Sequence, residues 1–330
     1  MTGKRHRREQ RSGEWRVGSY VIRQACLSAG VLLTAIIILF SLIYLVPGDP
    51  ATIALGPRAT EAQKEIFRQS MGLDRPVPVQ AMHFVGNLLK GDLGTDLLTR
   101  QPVLVLVAAA LPKTLVLALT GLGWSILLGI PLGCVSALRP NGWTDRVIGL
   151  FSTSVIALPS FLLAIYSLII FSVTLGWLPA MGAGDAGDLK DQLMHLILPA
   201  FAVGLGWVGY IARLVRASLL ETLQENHIRT YRAFGISDAR IALRFALPIA
   251  MIPVVAVIGV GLGNLLSGAV LVEVVFSRPG LGSLAHEAVT SRNSPVLVGT
   301  VLVTTLLYVS ANLATDLIAA LLDPRIRKEA

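Results

Sequence analysis

Long runs of apolar residues, almost free of charge, alternate along the chain with shorter polar segments. Runs of this length can cross the ~30 Å hydrocarbon core of a bilayer as helices. The first run is too long for the apolar part of a signal peptide and lacks a cleavage site of small residues, so we interpret it as a retained helix. The pattern predicts an all-α polytopic membrane protein with six transmembrane helices, at Ala25–Val46, Leu115–Leu138, Val147–Leu175, about Leu193–Ile211, Ile249–Val272 and Pro295–Thr315.

The composition supports this class. Apolar residues make up 54% of the 330 positions and charged residues only 15%, whereas soluble domains carry about 25% charged residues. Cys26 and Cys134 both fall inside predicted spans without a Cys-x-x-Cys pattern, and the five histidines lack metal-binding spacing. The sequence therefore predicts neither a disulfide framework nor a metal site.

Lysine and arginine are concentrated on one side of the predicted spans. That side carries 18 of the 28 basic residues: seven through Arg23, two in Arg139–Arg146, six in Arg213–Arg244 and three near the end of the chain. Cytoplasmic segments show such an excess, so both termini, with the basic tails 1–24 and 323–330, are predicted to be cytoplasmic. We interpret the first tail as a topology signal beside anionic lipid, in preference to a nucleic-acid-binding arm.

The segment 47–113 is predicted to form a separate unit on the outer side. The prolines and glycine at 47–50 end the first span, because they cannot continue a helix. Thr60 and Gln63 have the spacing of a capping box, which predicts one helix, and a second helix is predicted to reach Leu89. A folded segment of this length fits either an extracytoplasmic cap that contacts a partner or a long folded loop.

A basic segment between the fourth and fifth spans, 217–248, has the features of a docking element. It carries four arginines from Arg229 onward, which cannot enter lipid. Gly235 allows the positive φ that commonly ends a helix, and Ser237 is a favourable N-cap for the next helix. The pattern predicts a short helix, a glycine stop and a second short helix, which form either a docking element or an ordinary cytoplasmic loop.

Ten short motifs along the chain carry a family resemblance. They are, in order, Pro-Gly-Asp-Pro (47–50), Gly-Leu-Asp-Arg-Pro (72–76), Gly-Asp-Leu-Gly (91–94), Leu-Pro-Lys-Thr (111–114), Gly-Ile-Pro-Leu-Gly (129–133), Leu-Pro-Ser-Phe (158–161), Gly-Trp-Leu-Pro-Ala (176–180), His-Leu-Ile-Leu-Pro-Ala (195–200), Arg-Pro-Gly-Leu-Gly (278–282) and Leu-Asp-Pro-Arg (322–325). Together they make the sequence similar to the first permease subunit of dipeptide, oligopeptide and nickel ATP-binding-cassette (ABC) importers. The resemblance implies the type I ABC importer permease fold, with a five-helix core at 114–322, in the bacterial cytoplasmic (inner) membrane.

The same resemblance implies a transport function. An extracytoplasmic solute-binding protein delivers a dipeptide, a longer peptide, a nickel chelate or a related solute to a path between this chain and a second, homologous permease subunit. Two ATP-binding subunits drive the transport, so ATP and Mg²⁺ bind to those partners. The chain has no Gly-x-x-x-x-Gly-Lys-[Ser/Thr] phosphate loop, and we expect it neither to be an enzyme nor to hold a cofactor.

The resemblance also assigns contact with the ATP-binding subunits to the basic segment. The expected contact residues are Arg229, Thr230, Tyr231, Phe234, Gly235, Ser237 and Arg240. Tyr231 and Phe234 are three positions apart, so they are predicted to share one helical face and to fill a groove on the partner. Family members usually carry alanine and a basic residue at these two positions, and Pro248 stands where their helix usually continues.

Polar residues inside the spans are the candidates for the solute path, because burying them without partners is costly. Asn264 and Ser267, three positions apart on a central helix, are predicted to line that path. Asn312 and Asp316, four apart on the last span, are predicted to have a structural role.

Glycines in the spans have two interpretations. The Gly-x-Gly-x-x-Gly pattern at 204–209 has no preceding strand, which a dinucleotide site needs, so no nucleotide is predicted there. Gly129 and Gly133 have the spacing that lets helices approach closely, and this packing could extend across the permease–permease interface.

Two other function classes remain open on sequence grounds. An ion-coupled secondary transporter would show inverted repeats with broken helices and buried ionisable residues, and the spans are almost free of charge. A membrane scaffold or receptor that transports nothing would use the basic segment and the outer cap as partner sites. Co-purification with ATP-binding subunits separates both classes from an importer.

Overall fold

The computed structural model describes residues 27, 30–41, 50–56, 58–70, 74 and 76–322. The predicted tails 1–24 and 323–330, Cys26 and residues 47–49 lie outside the described residues. The helices in the described ranges are α1 Gly30–Ser41, α2 Pro50–Leu55, α3 Glu61–Ser70, α4 Val77–Leu88, α5 Val103–Leu138, α6 Trp143–Ala157, α7 Ser160–Thr174, α8 Leu189–Leu223, α9 Asn226–Ala233, α10 Asp238–Val275, α11 Leu281–Thr290 and α12 Ser294–Leu322.

The membrane-spanning character of the chain is clear in this architecture. Among the described residues, four helices are long and apolar enough to cross a bilayer, and the bent pair α6–α7 brings the number to as many as five. The described part of the first predicted span is the shorter apolar helix α1. The count of six spans therefore stays a prediction.

Three helices extend beyond the apolar runs that predicted them. Helix α5 begins at Val103, helix α8 continues to Leu223, and helix α10 begins at Asp238. Hydropathy marks only the part of a helix that lies in lipid, whereas backbone hydrogen bonding continues into the polar flanks. The predicted segment 217–248 therefore lies mostly within α8 and α10. The prediction of a separate second short helix is wrong, because the residues from Asp238 onward form the start of the long helix α10.

The third predicted span, Val147–Leu175, is not one straight helix. It breaks at Leu158 and Pro159, and the two halves make an angle of 102°. Proline lacks an N–H and holds the preceding residue in extended backbone, as the ψ of 124° at Leu158 shows. We call residues 156–160 the elbow.

One compact unit contains the described residues up to 113 together with 279–309. Its apolar core includes Leu93, Val103 and Leu281. The predicted capping box at the start of α3 is confirmed, because the Thr60 N–H donates to Gln63 Oε1 at 2.9 Å and the Gln63 N–H donates to Thr60 Oγ1 at 3.3 Å. The predicted second helix of this region is confirmed as α4.

A buried carboxylate, Asp96, fixes the loop before α5 within this unit. It accepts hydrogen bonds from the Thr99 hydroxyl, the Leu98 N–H and the Asn293 amide. Burial alone would raise the pKa of Asp96, but these hydrogen bonds hold it below the usual value. The charged carboxylate thus ties this loop to the turn that precedes α12.

The second unit contains residues 114–278 and the part of α12 from residue 310. Helix α8 is central to it and packs against α6, α7 and α10. The helix remains unbroken through Pro199, as α10 does through Pro253. An apolar core of α5, α8, α9 and α10 residues lies at the end of α8 that leads to α9.

Helix α5 presents a ridge of small residues to α8. The ridge members are four positions apart and are Gly121, Ser125, Gly129 and Gly133. A Cβ atom at Gly133 would lie 2.6 Å from the Ala212 carbonyl oxygen. The Ser125 hydroxyl donates to the Gly204 carbonyl at 2.8 Å. Small side chains thus let the two backbones approach closely.

These contacts show which helix each of the predicted packing glycines meets. Gly129 and Gly133 pack closely against α8 of the same chain, so the predicted close approach of helices at these two glycines is confirmed. Gly204 meets α5 and Gly209 meets α6, which gives the glycine pattern at 204–209 a packing role.

We expect Gly133→Ala to destabilise the protein by about 1–3 kcal/mol, because the added methyl group forces α5 and α8 apart. Gly123→Ala is the matched control, since a Cβ atom at Gly123 meets nothing within 4 Å. Thermal unfolding of the purified variants in detergent measures the difference. Equal midpoints for the two variants would contradict the proposed close approach.

Candidate coupling site and solute cavity

The turn after α9 is built by backbone hydrogen bonds around a glycine. The Ile236 N–H donates to the Tyr231 carbonyl at 3.3 Å, and the Gly235 N–H donates to the Arg232 carbonyl at 2.9 Å. This pair of bonds is the Schellman motif, which needs a left-handed residue after the helix. Gly235 supplies it with a φ of 76°, so the predicted glycine stop is confirmed.

Helix α9 is fixed to the core of the second unit on one side. Ile228 is fully buried, and it lies in the same apolar cluster as Leu219 of α8 and Ile241 of α10. The Tyr231 ring stacks on the Phe245 ring with 4.6 Å between the centroids. Residues Ile241–Ala246, at the start of α10, are π-helical. The wider turn accommodates Pro248, whose ring would crowd the carbonyl four residues earlier in a regular helix.

The other side of α9 and its turn is open. The exposed predicted contact residues are Arg229, Thr230, Phe234, Gly235, Ser237 and Arg240. The Phe234 side chain is 78% exposed, in a segment that lies outside the predicted spans. In the described part of the chain neither Arg229 nor Arg240 has an ion-pair partner, whereas Arg232 bonds Asp238 at 2.9 Å.

Two details of the predicted contact surface need correction. Tyr231 and Phe234 do not present one common face, because Tyr231 packs inward while Phe234 caps the end of α9 outside the helix. Ser237 occupies the N-cap position of α10, but its side chain makes no capping hydrogen bond. The exposed surface therefore consists of Phe234 and its arginine neighbours, and Tyr231 supports that surface from behind.

A cavity of about 510 Å³ lies between the elbow, α8 and α10. Its lining is mainly apolar and includes Leu158, Ser160, Trp207, Tyr210, Val260 and Asn264. The Trp207 and Tyr210 rings meet edge to face at 5.4 Å. Gly261 of α10 makes room for the Trp207 ring, since a Cβ atom there would lie 2.7 Å from it.

The two predicted pathway residues have different surroundings in the structure. Asn264 lines the cavity, and its amide makes one long hydrogen bond, of 3.5 Å, to the Val260 carbonyl. Ser267 is exposed on α10 and does not line the cavity. Glu273, near the end of α10, is fully buried and accepts a hydrogen bond from Thr114 at 2.6 Å. It thus has a structural partner inside the second unit.

Sequence reasoning missed three cavity residues. Ser160 belongs to a recognised motif, and Trp207 and Tyr210 are three positions apart on α8. An aromatic pair on one helical face, beside glycines, was the available signal, but a helix face of this kind is also typical of ordinary packing. Only the break at the elbow turns this face into a cavity wall.

Comparison with known proteins identifies the family. Residues 129–328 match the family described as binding-protein-dependent transport system inner membrane component. Residues 18–118 match the family described as the N-terminal part of such membrane components. The two matches together cover most of the chain.

Curated relatives match almost end to end. The glutathione transport system permease protein GsiC of Pectobacterium atrosepticum is 38% identical over 309 residues, which cover 94% of this chain and 99% of that protein. The proteins of the same name from Salmonella typhimurium and Escherichia coli K12 are 37% and 36% identical with the same coverage.

Solved structures show the same fold. A chain of the MetNI methionine ABC transporter, in an inward-facing conformation, covers 67% of this chain with 97% of its own length, at a TM-score of 0.55 and 19% identity. A second crystal form of that transporter gives a TM-score of 0.53 at 18% identity.

We expect Gly235→Val to open the turn after α9, because the left-handed conformation costs a β-branched residue about 1–2 kcal/mol. Apart from its chain neighbours, no atom lies within 4 Å of a Cβ built at Gly235, so the cost comes from the local backbone conformation and not from packing against other residues. Trypsin should cleave at Arg229 and Arg232 roughly 5–30-fold faster in this variant. Gly235→Asn is the control, since asparagine tolerates this conformation. Equal cleavage rates in the two variants would contradict the proposed need for a left-handed residue at this position.

Proposed function

Because the chain belongs to the family of binding-protein-dependent transport system inner membrane components and is the permease subunit of an ABC importer, we propose that it imports peptide-like solutes by forming half of a translocation path. The second half is a homologous permease subunit, and an extracytoplasmic binding protein delivers the solute. Two ATP-binding subunits, which hold ATP and Mg²⁺, dock on the cytoplasmic side. Both termini lie on that side in the bacterial inner membrane.

The exposed Phe234 carries the docking proposal. This large ring is 78% exposed, and it lies at the end of a helix that the fully buried Ile228 anchors to the core. Rigid aromatic anchors beside arginines are typical of interface hot spots. Arg229 and Arg240 provide positive charge for acidic groups on an ATP-binding subunit. Movement of that subunit would pass into α8 and α10, which flank α9.

The cavity supports the path proposal. Asn264 lies within α10, where an amide facing lipid without good partners is costly. The elbow adds irregular backbone in the middle of an apolar run, and such backbone is tolerated only where it is buried in protein or lines a watery space. Both features favour a hydrated cavity that contacts the solute or the partner permease. Ser267, exposed one turn further along α10, extends the same polar face.

The cargo is a small peptide or a similar solute. The relatives named glutathione transport system permease proteins are 36–38% identical over nearly the whole chain. Glutathione is itself a tripeptide, so a peptide-like solute agrees with the resemblance to dipeptide and oligopeptide permeases. A nickel chelate is the second candidate, and uptake of each labelled solute by cells with and without the transporter distinguishes them.

We expect Phe234→Ala to weaken the docking of the ATP-binding subunits by about 1–3 kcal/mol, because the ring is the proposed anchor. Purified ATP-binding subunits should sediment with inside-out vesicles that contain the permease pair and not with right-side-out vesicles. Ile66→Ala, at an exposed position on α3, is the control and should bind normally. Equal binding by both variants would remove Phe234 from the contact, and binding to right-side-out vesicles would reverse the orientation.

We expect Asn264→Leu to lower solute uptake about fivefold or more, because the cavity loses its amide, a group worth about 1 kcal/mol per hydrogen bond. Asn312→Leu is the matched control, since Asn312 lies outside the cavity lining. Both complexes should still bind their ATP-binding subunits. Normal uptake by an assembled Asn264→Leu complex would exclude the cavity from the path.

A further inference from the structure

A buried carboxylate at the turn between α5 and α6 is bound from three directions. Asp145 is only 7% exposed. It accepts one hydrogen bond from the Ser136 hydroxyl of α5 and one, at 2.8 Å, from the Asn141 N–H of the turn. The Arg216 guanidinium of α8 binds both carboxylate oxygens, with Nε at 2.6 Å and Nη2 at 2.7 Å.

This fork is a directional connection between α6 and α8, whose contact is otherwise held by packing alone. In the described part of the chain, no other hydrogen bond joins α6 to α8. Elsewhere between these two helices, Gly209 of α8 packs against Val155 and Ser152 of α6 without a hydrogen bond. Apolar packing permits small rotations of one helix on another, whereas a planar guanidinium that binds both oxygens of a carboxylate fixes the relative orientation.

The position of the fork connects the two candidate sites. Arg216 lies on α8 two turns before that helix ends at Leu223, and α9 begins at Asn226. Asp145 lies in the first turn of α6, whose other end at Ala157 forms part of the elbow beside the cavity. The fork therefore lies between the end of α8 that leads to α9 and the helix α6 that ends at the elbow.

We propose that Asp145 and Arg216 form a positioning clamp that converts movement of the docked α9 segment into movement of the elbow, and that the clamp sets how much solute is moved per ATP hydrolysed. This inference rests on the proposed function, because it assumes that ATP-binding subunits move α9. The two residues touch neither solute nor nucleotide. Their role is to hold α6 and α8 in one relative orientation while the other contacts between these two helices shift.

The test uses the complete transporter, with both permease subunits, the ATP-binding subunits and the binding protein, reconstituted in proteoliposomes. Arg216→Lys keeps the charge but loses the two-point fork. It should retain assembly and ATP hydrolysis, while the solute transported per ATP falls about fivefold or more. Arg213→Lys is the matched control on the same helix, because Arg213 is exposed, and it should keep the wild-type ratio.

A second variant tests the clamp without leaving an unpaired buried charge that could unfold the protein. Asp145→Asn combined with Arg216→Gln removes both charges, so no unpaired charge remains buried, and it should show the same loss in transport per ATP. A wild-type ratio in Arg216→Lys, or in an assembled double variant, would show that the pair only holds the fold. If the unmodified transporter itself shows no ATP-driven uptake, the proposed function fails, and that outcome is separate from a failure of the clamp.

Discussion

The close approach of α5 and α8 is the constraint on which the second unit depends. Small residues at four-residue spacing on α5 bring its backbone against α8, so that a Cβ atom at Gly133 would overlap the α8 backbone. Water is absent from the hydrocarbon core, so apolar burial gives little drive for helix association there, and van der Waals packing with occasional hydrogen bonds must supply it. The bonds from Trp124 to the Ala200 carbonyl and from Ser125 to the Gly204 carbonyl add direction to this packing.

This seam gives α8 its central role. At one end α8 continues toward α9, and along its length it meets α6, α7 and α10. The helix therefore contacts every element that surrounds the cavity and also leads to the exposed segment at Phe234. A permease that is driven from outside its own chain needs such an element, because force applied to a loop reaches the path only through packed helices.

Much of this architecture was accessible from the sequence. The capping box at Thr60 and the glycine stop at Gly235 each depend on local physical rules, and the structure confirms them. Four of the apolar runs correspond to helices long enough to cross a membrane, and the third run is a bent pair of helices. The motifs identified the family because ten of them occur in order. The orientation, the partners and the cargo were inferred from charge asymmetry and resemblance, and they remain proposals.

The features that could not be predicted from the sequence depend on contacts between residues that are distant along the chain. The inward stacking of Tyr231 depends on Phe245, which a π-helical turn brings to the same place. The cavity depends on the elbow at Pro159, and a proline in an apolar run predicts a bend without its size. The Asp145–Arg216 pair joins residues 71 positions apart, and neither residue stands in a motif that indicates the other.

The turn after α9 has a consequence for how such transporters diversify. Its shape is set by main-chain hydrogen bonds and one glycine, and its fixed side is set by Ile228 and Tyr231. The identities of the outward side chains contribute little to that shape. A duplicated transporter could therefore acquire new side chains at positions 229, 234 and 240 and recognise only its own motor subunit, while the mechanical frame beneath them stays the same. Few substitutions and no new fold would then be needed to prevent the permease of one uptake system from binding the motor subunit of another in the same cell.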